Sequence, residues 1–483
     1  MPLATAEQSR ASTVVSPSRA RIFGYSLGEG AASISLNGIS AFAMLYYSQV
    51  LGVPASLVGI ALGITVFWDA ISDPVMGYVS DCTRSRFGSR LPYVVAGGFL
   101  LAVSFFLLWV VPAWFETTTG MFIAVLGLNL AVRTASTILL VPYTALGFEM
   151  CQTYLDRSTV QGVRYFVNMI TNLVFVAIAW MVFFPDSIGE DGQRIDGTLV
   201  KSNYLLMSSV LSVALLLFVL GSVWATRIYA IDNRGAPTEG KQLSNFFKLM
   251  SMILRDRIAW IVFGFYGFAQ FGMMVTSQLQ MYTYVFFMEF RPIEKTFVHG
   301  AGMVAFALGS LVLPFFVDRI DKKRTAYVGV CAGMIGNLGL AALFSTGILP
   351  PRTLIDVFGL EVPIGVVLFG LGQALWWGGC GMLTPLATSM IADISNLDQR
   401  RSGMNRDGSY SALFSFSLKA AASVGLLVTG IVVPLSGIVP EATTQTPEAS
   451  SLMALLTFLI GPVTLVAAFL VVRTYPLDRK SVE

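Results

Sequence analysis

Residues 57–76 read LVGIALGITVFWDAISDPVM, an apolar run interrupted by two carboxylates, Asp69 and Asp73. The spacing of four residues places both carboxylates on one face of a helix. A carboxylate at membrane depth costs roughly 2.5–3.5 kcal/mol on insertion scales, so both should face inward, toward a positive charge. We therefore expect this helix to bind a cation that the protein carries.

The composition of the chain places this helix in a bilayer. The 483 residues are 55% hydrophobic and only 12% charged, with a mean hydropathy of +0.71, whereas soluble domains are about 25% charged. A membrane span needs about 20 apolar residues. Such runs recur at 22–50, 56–80, 92–113, 119–149, 161–185, 203–229, 257–288, 296–318, 325–348, 361–393, 408–438 and 451–473. Runs of this length favour helices over barrel strands, so the sequence predicts an all-α membrane protein with twelve transmembrane helices.

The distribution of Lys and Arg predicts the orientation of these helices. With both termini in the cytoplasm, 23 of the 31 basic residues lie in cytoplasmic segments and five lie in outer loops, namely Arg194, Lys201, Arg291, Lys295 and Arg352. The positive-inside rule then predicts cytoplasmic termini. Residues 1–20 are polar, so we expect no cleavable signal. The protein should be a multi-pass component of the plasma membrane, or of the inner membrane in a bacterium, and the net charge of +3 does not indicate a nucleic-acid surface.

A polar segment divides the chain into two parts. Residues 230–256 read as a cytoplasmic linker, with a six-helix bundle on each side at 22–229 and 257–473 and cytoplasmic tails at 1–21 and 474–483. An Asp followed by a basic cluster comes after helix two, at Asp81–Arg86, and again after helix eight, at Asp318–Arg324. The recurrence of this pattern at equivalent places indicates that the two halves of the chain are an internal repeat. Two six-helix halves of this kind are typical of the major facilitator architecture, in which a central cavity opens alternately to each side.

Few other charges lie inside the expected spans, and each needs a partner or water. Those considered are Arg133, Glu149, Arg164, Asp393 and Lys419. We interpret Lys419 as a residue that responds to an ion or substrate, and a fixed salt bridge between two helices is the alternative. Arg164 could pair with Glu149 or bind an anionic substrate group, because Arg binds carboxylate and phosphate bidentately.

The residues that would support other function classes are scarce. Cys82, Cys151, Cys331 and Cys380 have no C-x-x-C spacing, so the sequence predicts neither a disulfide framework nor a metal centre. His299 is the one histidine and is expected to be structural. No H-E-x-x-H motif is present, so we expect no enzyme and no cofactor. An uncoupled channel or lipid scramblase is the remaining alternative, although passive flow needs no paired carboxylates.

The helix-two region resembles that of the glycoside-pentoside-hexuronide:cation symporters, a major facilitator family that includes melibiose permease. The matching segments are WDAISDPVMG at 68–77, DCTRSRFGSRLP at 81–92 and TILLVP at 137–142. The resemblance implies alternating-access symport driven by Na⁺, as a monomer, and a sodium site formed by Asp69, Ser72, Asp73 and Thr137. Ser72 replaces the family's usual Asn, which leaves H⁺ open as the coupling ion. Lys419 has the family's lysine position and would couple ion binding to transport.

The expected substrate residues depart from the sugar branch of that family. Where melibiose permease has two aspartates and a tryptophan, this chain has Ser33, Leu140 and Thr144. The sodium-dependent lysophosphatidylcholine symporters resemble this chain at VPYTAL, 141–146, and at Arg164. That resemblance implies an amphipathic lysophospholipid substrate, with a headgroup near Arg164 or Lys419 and a tail along Phe67, Leu140, Phe166 and Phe416. A glycoside carried with Na⁺ or H⁺ is the alternative.

Overall fold

The computed structural model describes residues 17–83, 85–111, 117–150, 154–189, 192–232, 256–357, 360–402 and 406–478. These ranges are mainly helical. In chain order the helices are α1 (Arg19–Leu45), α2 (Ala55–Cys82), α3 (Leu91–Trp109), α4 (Thr118–Met150), α5 (Tyr154–Ile178), α6 (Lys201–Asp232), α7 (Arg257–Tyr282), α8 (Pro292–Leu340), α9 (Ile364–Ser402), α10 (Asp407–Leu435) and α11 (Pro447–Val472). Most of the expected linker 230–256 lies outside the described residues, as do most of the N-terminal tail and the last five residues.

Helix α8 is broken at a single residue. Asp321 has a φ of 70° and a ψ of 161° within an otherwise helical segment, a conformation that is uncommon outside glycine. Its carboxylate accepts a hydrogen bond of 2.6 Å from the Lys322 amide, which satisfies the first donor of the second arm. The arms 292–320 and 322–340 cover two of the expected spans, and the predicted loop between those spans is reduced to this break.

The spans that the structure supports are fewer than the twelve expected. Within the described ranges, ten helices are long and apolar enough to cross a membrane, with α8 counted once. Helix α1 is not among them, because its many Gly and Ser residues and Glu29 lower its hydropathy. The count of twelve therefore stays a prediction.

We refer to α1–α6 and α7–α11 as two groups, which precede and follow residues 230–256 in the sequence. Contacts between the groups include α2 with α10, α1 with α7 and α5 with α8, and the packing of α2 on α10 is the most extensive of these. Glycines bring α2 and α10 together, since a Cβ built on Gly59 would lie 2.8 Å from Cα of Gly430. The Ser423 hydroxyl donates a 2.7 Å hydrogen bond to the Gly63 carbonyl in the same contact. The α2–α10 packing therefore brings the carboxylates of α2 close to Lys419 of α10.

Short irregular elements cap the helices on one side. We call the side where α1 begins and α11 ends the terminal side. On the opposite side, π-helical turns end four helical segments, at Tyr46–Val50, Ala179–Phe183, Thr283–Phe287 and Ala341–Ser345. Two antiparallel hairpins also occur, β1 (Ser187–Ile188) with β2 (Arg194–Ile195) and β3 (Leu354–Val357) with β4 (Leu360–Pro363). No sequence pattern predicted these hairpins, because each strand has only two to four residues.

Polar contacts join the two groups on the opposite side. The Lys295 ammonium of α8 pairs with Asp196 of the α5–α6 connection, and their side chains are only 1% and 8% exposed. Arg194 donates hydrogen bonds to the carbonyls of Glu289 and Phe290, at 2.9 and 2.7 Å. The Ser48 and Tyr282 hydroxyls lie 2.5 Å apart between α1 and α7. These contacts therefore close the structure on the opposite side. Two of the residues that make them, Arg194 and Lys295, had been marked from the sequence only as loop cations.

The charge state of the buried Lys295–Asp196 pair follows from its surroundings. Burial raises the pKa of Asp196, but the Lys295 ammonium and hydrogen bonds from Lys295 and Thr198 outweigh it, so that the pKa lies below its ordinary value. The Asp196 carboxylate therefore stays charged at neutral pH. Its contribution to stability is lost only as the pH falls through that lowered pKa.

We predict that Asp196→Asn destabilises the protein, because it leaves the buried Lys295 ammonium without a counter-charge. Removing one partner of a buried pair costs about 3–5 kcal/mol. The measurement is the thermal unfolding temperature of the detergent-purified protein at pH 7. Asp186→Asn is the control, since the Arg194–Asp186 pair is more exposed, at 32% and 22%, and should contribute about 0–1 kcal/mol. Equal effects of the two substitutions would contradict the prediction.

Candidate functional site

Asp73 lies where α2, α4 and α10 meet. The Thr137 hydroxyl of α4 donates a hydrogen bond of 2.8 Å to Asp73 Oδ1. The Ser72 hydroxyl lies 3.1 Å from that of Thr137, and the Lys419 ammonium of α10 pairs with Asp73 Oδ2. The structure thus places Ser72, Thr137 and Lys419, all predicted from the sequence, around one carboxylate.

Asp69 pairs with an arginine to which the sequence gave no role. Arg133 Nη1 lies 2.9 Å from Asp69 Oδ2, and the two side chains are 16% and 13% exposed. The other carboxylate oxygen, Asp69 Oδ1, is buried and has no hydrogen-bond partner among the described residues. Arg133 precedes Thr137 by four residues on α4 and so lies on the same helix face. That spacing is the sequence signal that would have identified it.

These groups match the ligand preferences of a small monovalent cation. Two carboxylates and two hydroxyls supply hard oxygen ligands of the kind that alkali and alkaline-earth cations prefer. One of these oxygens, Asp69 Oδ1, has no hydrogen-bond partner among the described residues and is therefore available to an ion. A carboxylate at this position could instead accept a proton.

A cavity of about 570 Å³ adjoins both carboxylates. The cavity is lined by the four charged groups Asp69, Asp73, Arg133 and Lys419 and by side chains of α1 and α4, namely Leu36, Ser136, Thr137, Leu140, Val141, Thr144 and Ala145. The predicted substrate residues Leu140 and Thr144 therefore line the cavity. The lining thus combines charged groups with apolar side chains.

The predicted aromatic substrate residues do not line this cavity. Phe67 and Phe416 contact each other, with ring centroids 5.8 Å apart, and Phe67 is 41% exposed. Phe166 is 60% exposed on α5. It follows Arg164 by two residues, which turns it about 200° around the helix and away from that side chain. The structure thus does not assemble Phe67, Leu140, Phe166 and Phe416 into one apolar track.

Arg164 belongs to an ionic cluster beside the cavity. Its Nε donates a 2.8 Å hydrogen bond to Glu29 of α1, and a second guanidinium nitrogen pairs with the same carboxylate. The guanidinium also lies over the rings of Tyr25 and Tyr143, at 5.9 and 5.2 Å. Its carboxylate partner among the described residues is therefore Glu29, whereas the side chain of Glu149, the partner considered from the sequence, lies outside the described part of the chain. Arg164 does not line the cavity. In this conformation it pairs with Glu29 instead of pointing toward a substrate headgroup as the sequence predicted.

Two smaller cavities extend the first one toward the opposite side. One of about 270 Å³ shares Leu36 and Arg133 with it. The next, of about 290 Å³, shares Asn37 and Ser40 with the second and includes His299. The imidazole of His299 lies 5.2 Å from the Trp180 ring. A chain of three cavities therefore runs along α1, with Arg133 at the first junction.

Comparisons with known proteins agree with a transporter fold. Residues 24–479 match the family described as MFS/sugar transport protein. The crystal structure of a D-xylose-proton symporter superposes with a TM-score of 0.64 at 14% identity and covers 96% of this chain and 97% of that one. At this identity the likeness shows the fold alone.

Relatives with different named substrates are similar to the chain along most of its length. The isoprimeverose transporter of Lactiplantibacillus pentosus is 23% identical over 86% of this chain and 80% of its own. A glucuronide carrier protein homolog of Escherichia coli is 23% identical over 95% and 93%. The sodium-dependent lysophosphatidylcholine symporter 1 of Gallus gallus is 20% identical over 91% and 83%. Both substrate branches considered above are therefore represented at similar identity.

We predict that the Glu29–Arg164 pair is primarily structural. Arg164→Gln leaves the Glu29 carboxylate buried without a counter-charge, which should cost about 3–5 kcal/mol. Glu29→Gln combined with Arg164→Gln should recover part of that loss, because neither charge is then left alone. Unfolding of the two single variants and the double variant in detergent gives the coupling energy. Strictly additive effects would contradict the prediction.

Proposed function

The chain belongs to the MFS/sugar transport protein family, and on that premise we propose that it is a cation-coupled symporter of an amphipathic substrate. The family and the transporters of similar structure make it a multi-pass secondary transporter of the membrane and not an enzyme. The coupling ion and the substrate are the proposed part. We take Na⁺ as the ion, with H⁺ as the alternative.

The observation that carries the proposal is the Asp73–Lys419 pair between α2 and α10. These helices belong to different groups and form one of the three main contacts between them. A cation bound by Asp73, Thr137, Ser72 and Asp69 would compete with the Lys419 ammonium for Asp73. Ion binding would thereby change a contact between the groups and bias the balance between the two open states of the cavity.

We extend the proposal to the architecture that symport by alternating access requires. Twelve spans would form two six-helix bundles, 22–229 and 257–473, joined by the linker 230–256. Both termini would face the cytoplasm, and the protein would act as a monomer. Its closed opposite side would then face outward, so that the cavity exchanges substrate with the cytoplasmic side in this conformation.

The preferred substrate class is a lysophospholipid. The cavity lining includes Leu36, Leu140, Val141 and Ala145, which offer apolar surface for an acyl chain, and also Arg133 and Lys419, which offer positive charge for a headgroup. The similarity to the chicken lysophosphatidylcholine symporter supports this choice.

A glycoside is the second candidate. The third cavity carries groups that would suit hydroxyl recognition and ring stacking, namely Asn37, Ser40, Asn172, Ser277, His299 and Trp377. The similarity to the isoprimeverose transporter supports this alternative.

We predict that Asp73→Asn abolishes accumulation of substrate driven by a sodium gradient in proteoliposomes, because it removes the charge that attracts the cation. Lys419→Ala should retain downhill exchange but lose uphill accumulation, since the ion then no longer displaces a bridging ammonium. Asp186→Asn, on the opposite side, is the control and should transport normally. Unchanged sodium dependence of Asp73→Asn would refute the site, and equal fluxes with and without a gradient in the unsubstituted protein would indicate an uncoupled channel or scramblase.

We predict that lysophospholipids outcompete glycosides for the cavity and that their affinity rises with acyl length. Each methylene that is buried against the apolar side chains of the cavity should add about 0.8 kcal/mol to the binding free energy. Binding of a lysophosphatidylcholine series and of several galactosides to the purified protein, with and without Na⁺, measures this. Saturable, sodium-enhanced galactoside binding with no response to the lipids would assign the protein to the sugar branch.

A further inference from the structure

Arg133 is a partly buried cation, with a side chain that is 16% exposed, and it has unused hydrogen-bond donors. A guanidinium has five N–H donors in a planar fork that fits a carboxylate or a phosphate. Within the described residues, a single one of these donors, on Nη1, has a partner, Asp69. The side chain lines both the first and the second cavity. The free donors therefore face space that a substrate would occupy.

The charges around the first cavity are balanced before any ion binds. Asp69 and Asp73 are matched by Arg133 and Lys419. A bound monovalent cation would leave one positive charge in excess, and such an excess costs far more in a poorly solvated cavity than in water. One negative charge on the substrate would restore the balance. Because Arg133 contributes one of these positive charges, binding of the cation should be more favourable when an anionic substrate binds with it.

We infer that Arg133 recognises an anionic group of the substrate, a carboxylate or a phosphate, and thereby determines which substrates couple to the cation. This inference rests on the proposed cation site at Asp73. The anion would draw the guanidinium from Asp69, and the freed carboxylate would join Asp73 and Thr137 around the cation. The two ligands then bind cooperatively, and each raises the affinity of the other by the same factor. A neutral substrate leaves Arg133 on Asp69 and lacks this coupling.

The alternative guanidinium in the region is less suited to the role. Arg164 is paired with Glu29, lies over two tyrosine rings and does not line the first cavity. Releasing it would leave the Glu29 carboxylate, which is only 15% exposed, without its counter-charge. Releasing Arg133 instead frees Asp69 for a cation that replaces the lost positive charge. The exchange at Arg133 is therefore compensated by the transported ion, whereas an exchange at Arg164 is not.

The test measures sodium binding to the purified protein with matched anionic and neutral probes. The carboxylate pair is 4-nitrophenyl β-glucuronide and 4-nitrophenyl β-glucoside. The phosphate pair is lysophosphatidic acid and the monoacylglycerol with the same chain. We expect the anionic member of one pair to raise the sodium affinity by at least about fivefold, the lower end of common coupling factors, and its neutral twin to have little effect. The pair that responds identifies the anion as a sugar acid or a lipid phosphate.

Arg133→Gln should bind sodium more tightly without any probe, bind the anionic probe at least about tenfold more weakly, and lose the coupling. Arg133→Lys keeps the charge but not the fork, so it should keep the weak basal sodium affinity and still lose anion affinity. Arg227→Gln, at the terminal-side end of α6, is the matched control and should behave as the unsubstituted protein. Equal responses to both members of each pair, or an unchanged anion effect in Arg133→Gln, would overturn the inference.

A separate variant distinguishes this inference from the proposed function. If Asp73→Asn binds sodium normally, the cation site itself is misassigned. If Asp73→Asn loses sodium binding while both Arg133 variants retain normal anion coupling, the cation site stands and the role of Arg133 is refuted. If the unsubstituted protein binds no sodium, direct binding of the anionic probes to the Arg133 variants still decides the role of Arg133.

Discussion

A charge held away from water must find an opposite charge, and this constraint organises the structure. Within the described residues, five ion pairs that join distant segments meet it: Glu29–Arg164, Asp69–Arg133, Asp73–Lys419, Asp196–Lys295 and Lys322–Asp393. Two of them differ from the others in their surroundings. Asp69–Arg133 and Asp73–Lys419 line a cavity, so an incoming ion or substrate can compete for their partners. Glu29–Arg164 is enclosed by aromatic rings and Asp196–Lys295 is almost fully buried. The same interaction can therefore act as an exchangeable contact in the cavity and as a fixed contact elsewhere.

The sequence predicted the elements whose signals are local. The apolar runs predicted most helices, and the spacing of Asp69 and Asp73 predicted that both carboxylates share a face of α2. Pairing between helices was harder, because it depends on how each helix is rotated about its axis. Arg164 was expected either to pair with Glu149 or to bind an anionic substrate group, whereas its partner in the described part of the structure is Glu29, which precedes it by 135 residues. Arg133 was noted as an intramembrane charge without a role. The sequence of α2 does not show that Asp69 pairs with an arginine of α4 while Asp73 pairs with Lys419.

Residues with two plausible roles were also misjudged from the sequence. Arg194 and Lys295 were used as topology signals, and that interpretation says nothing about contacts within the folded protein. Phe67, Phe166 and Phe416 were chosen for their size and apolarity, which suit lipid contact, helix packing and substrate binding equally. Leu140 and Thr144 were selected by comparison with residues at corresponding helical positions, and both line the cavity. Position on a helix face was thus a better guide than residue type.

The placement of Glu29 has a consequence for how the chain is made. Helix α1 is not apolar enough to count among the ten described helices that could cross a membrane unaided, and it carries a carboxylate whose counter-charge lies on α5. A carboxylate in the bilayer core costs roughly 2.5–3.5 kcal/mol on insertion scales. During synthesis the ribosome delivers α1 long before Arg164 emerges. The first helix should therefore stay at the insertion machinery or at the lipid headgroups until α4 and α5 have been synthesised and can surround Glu29. Helices α1–α5 would then insert into the membrane together rather than one at a time.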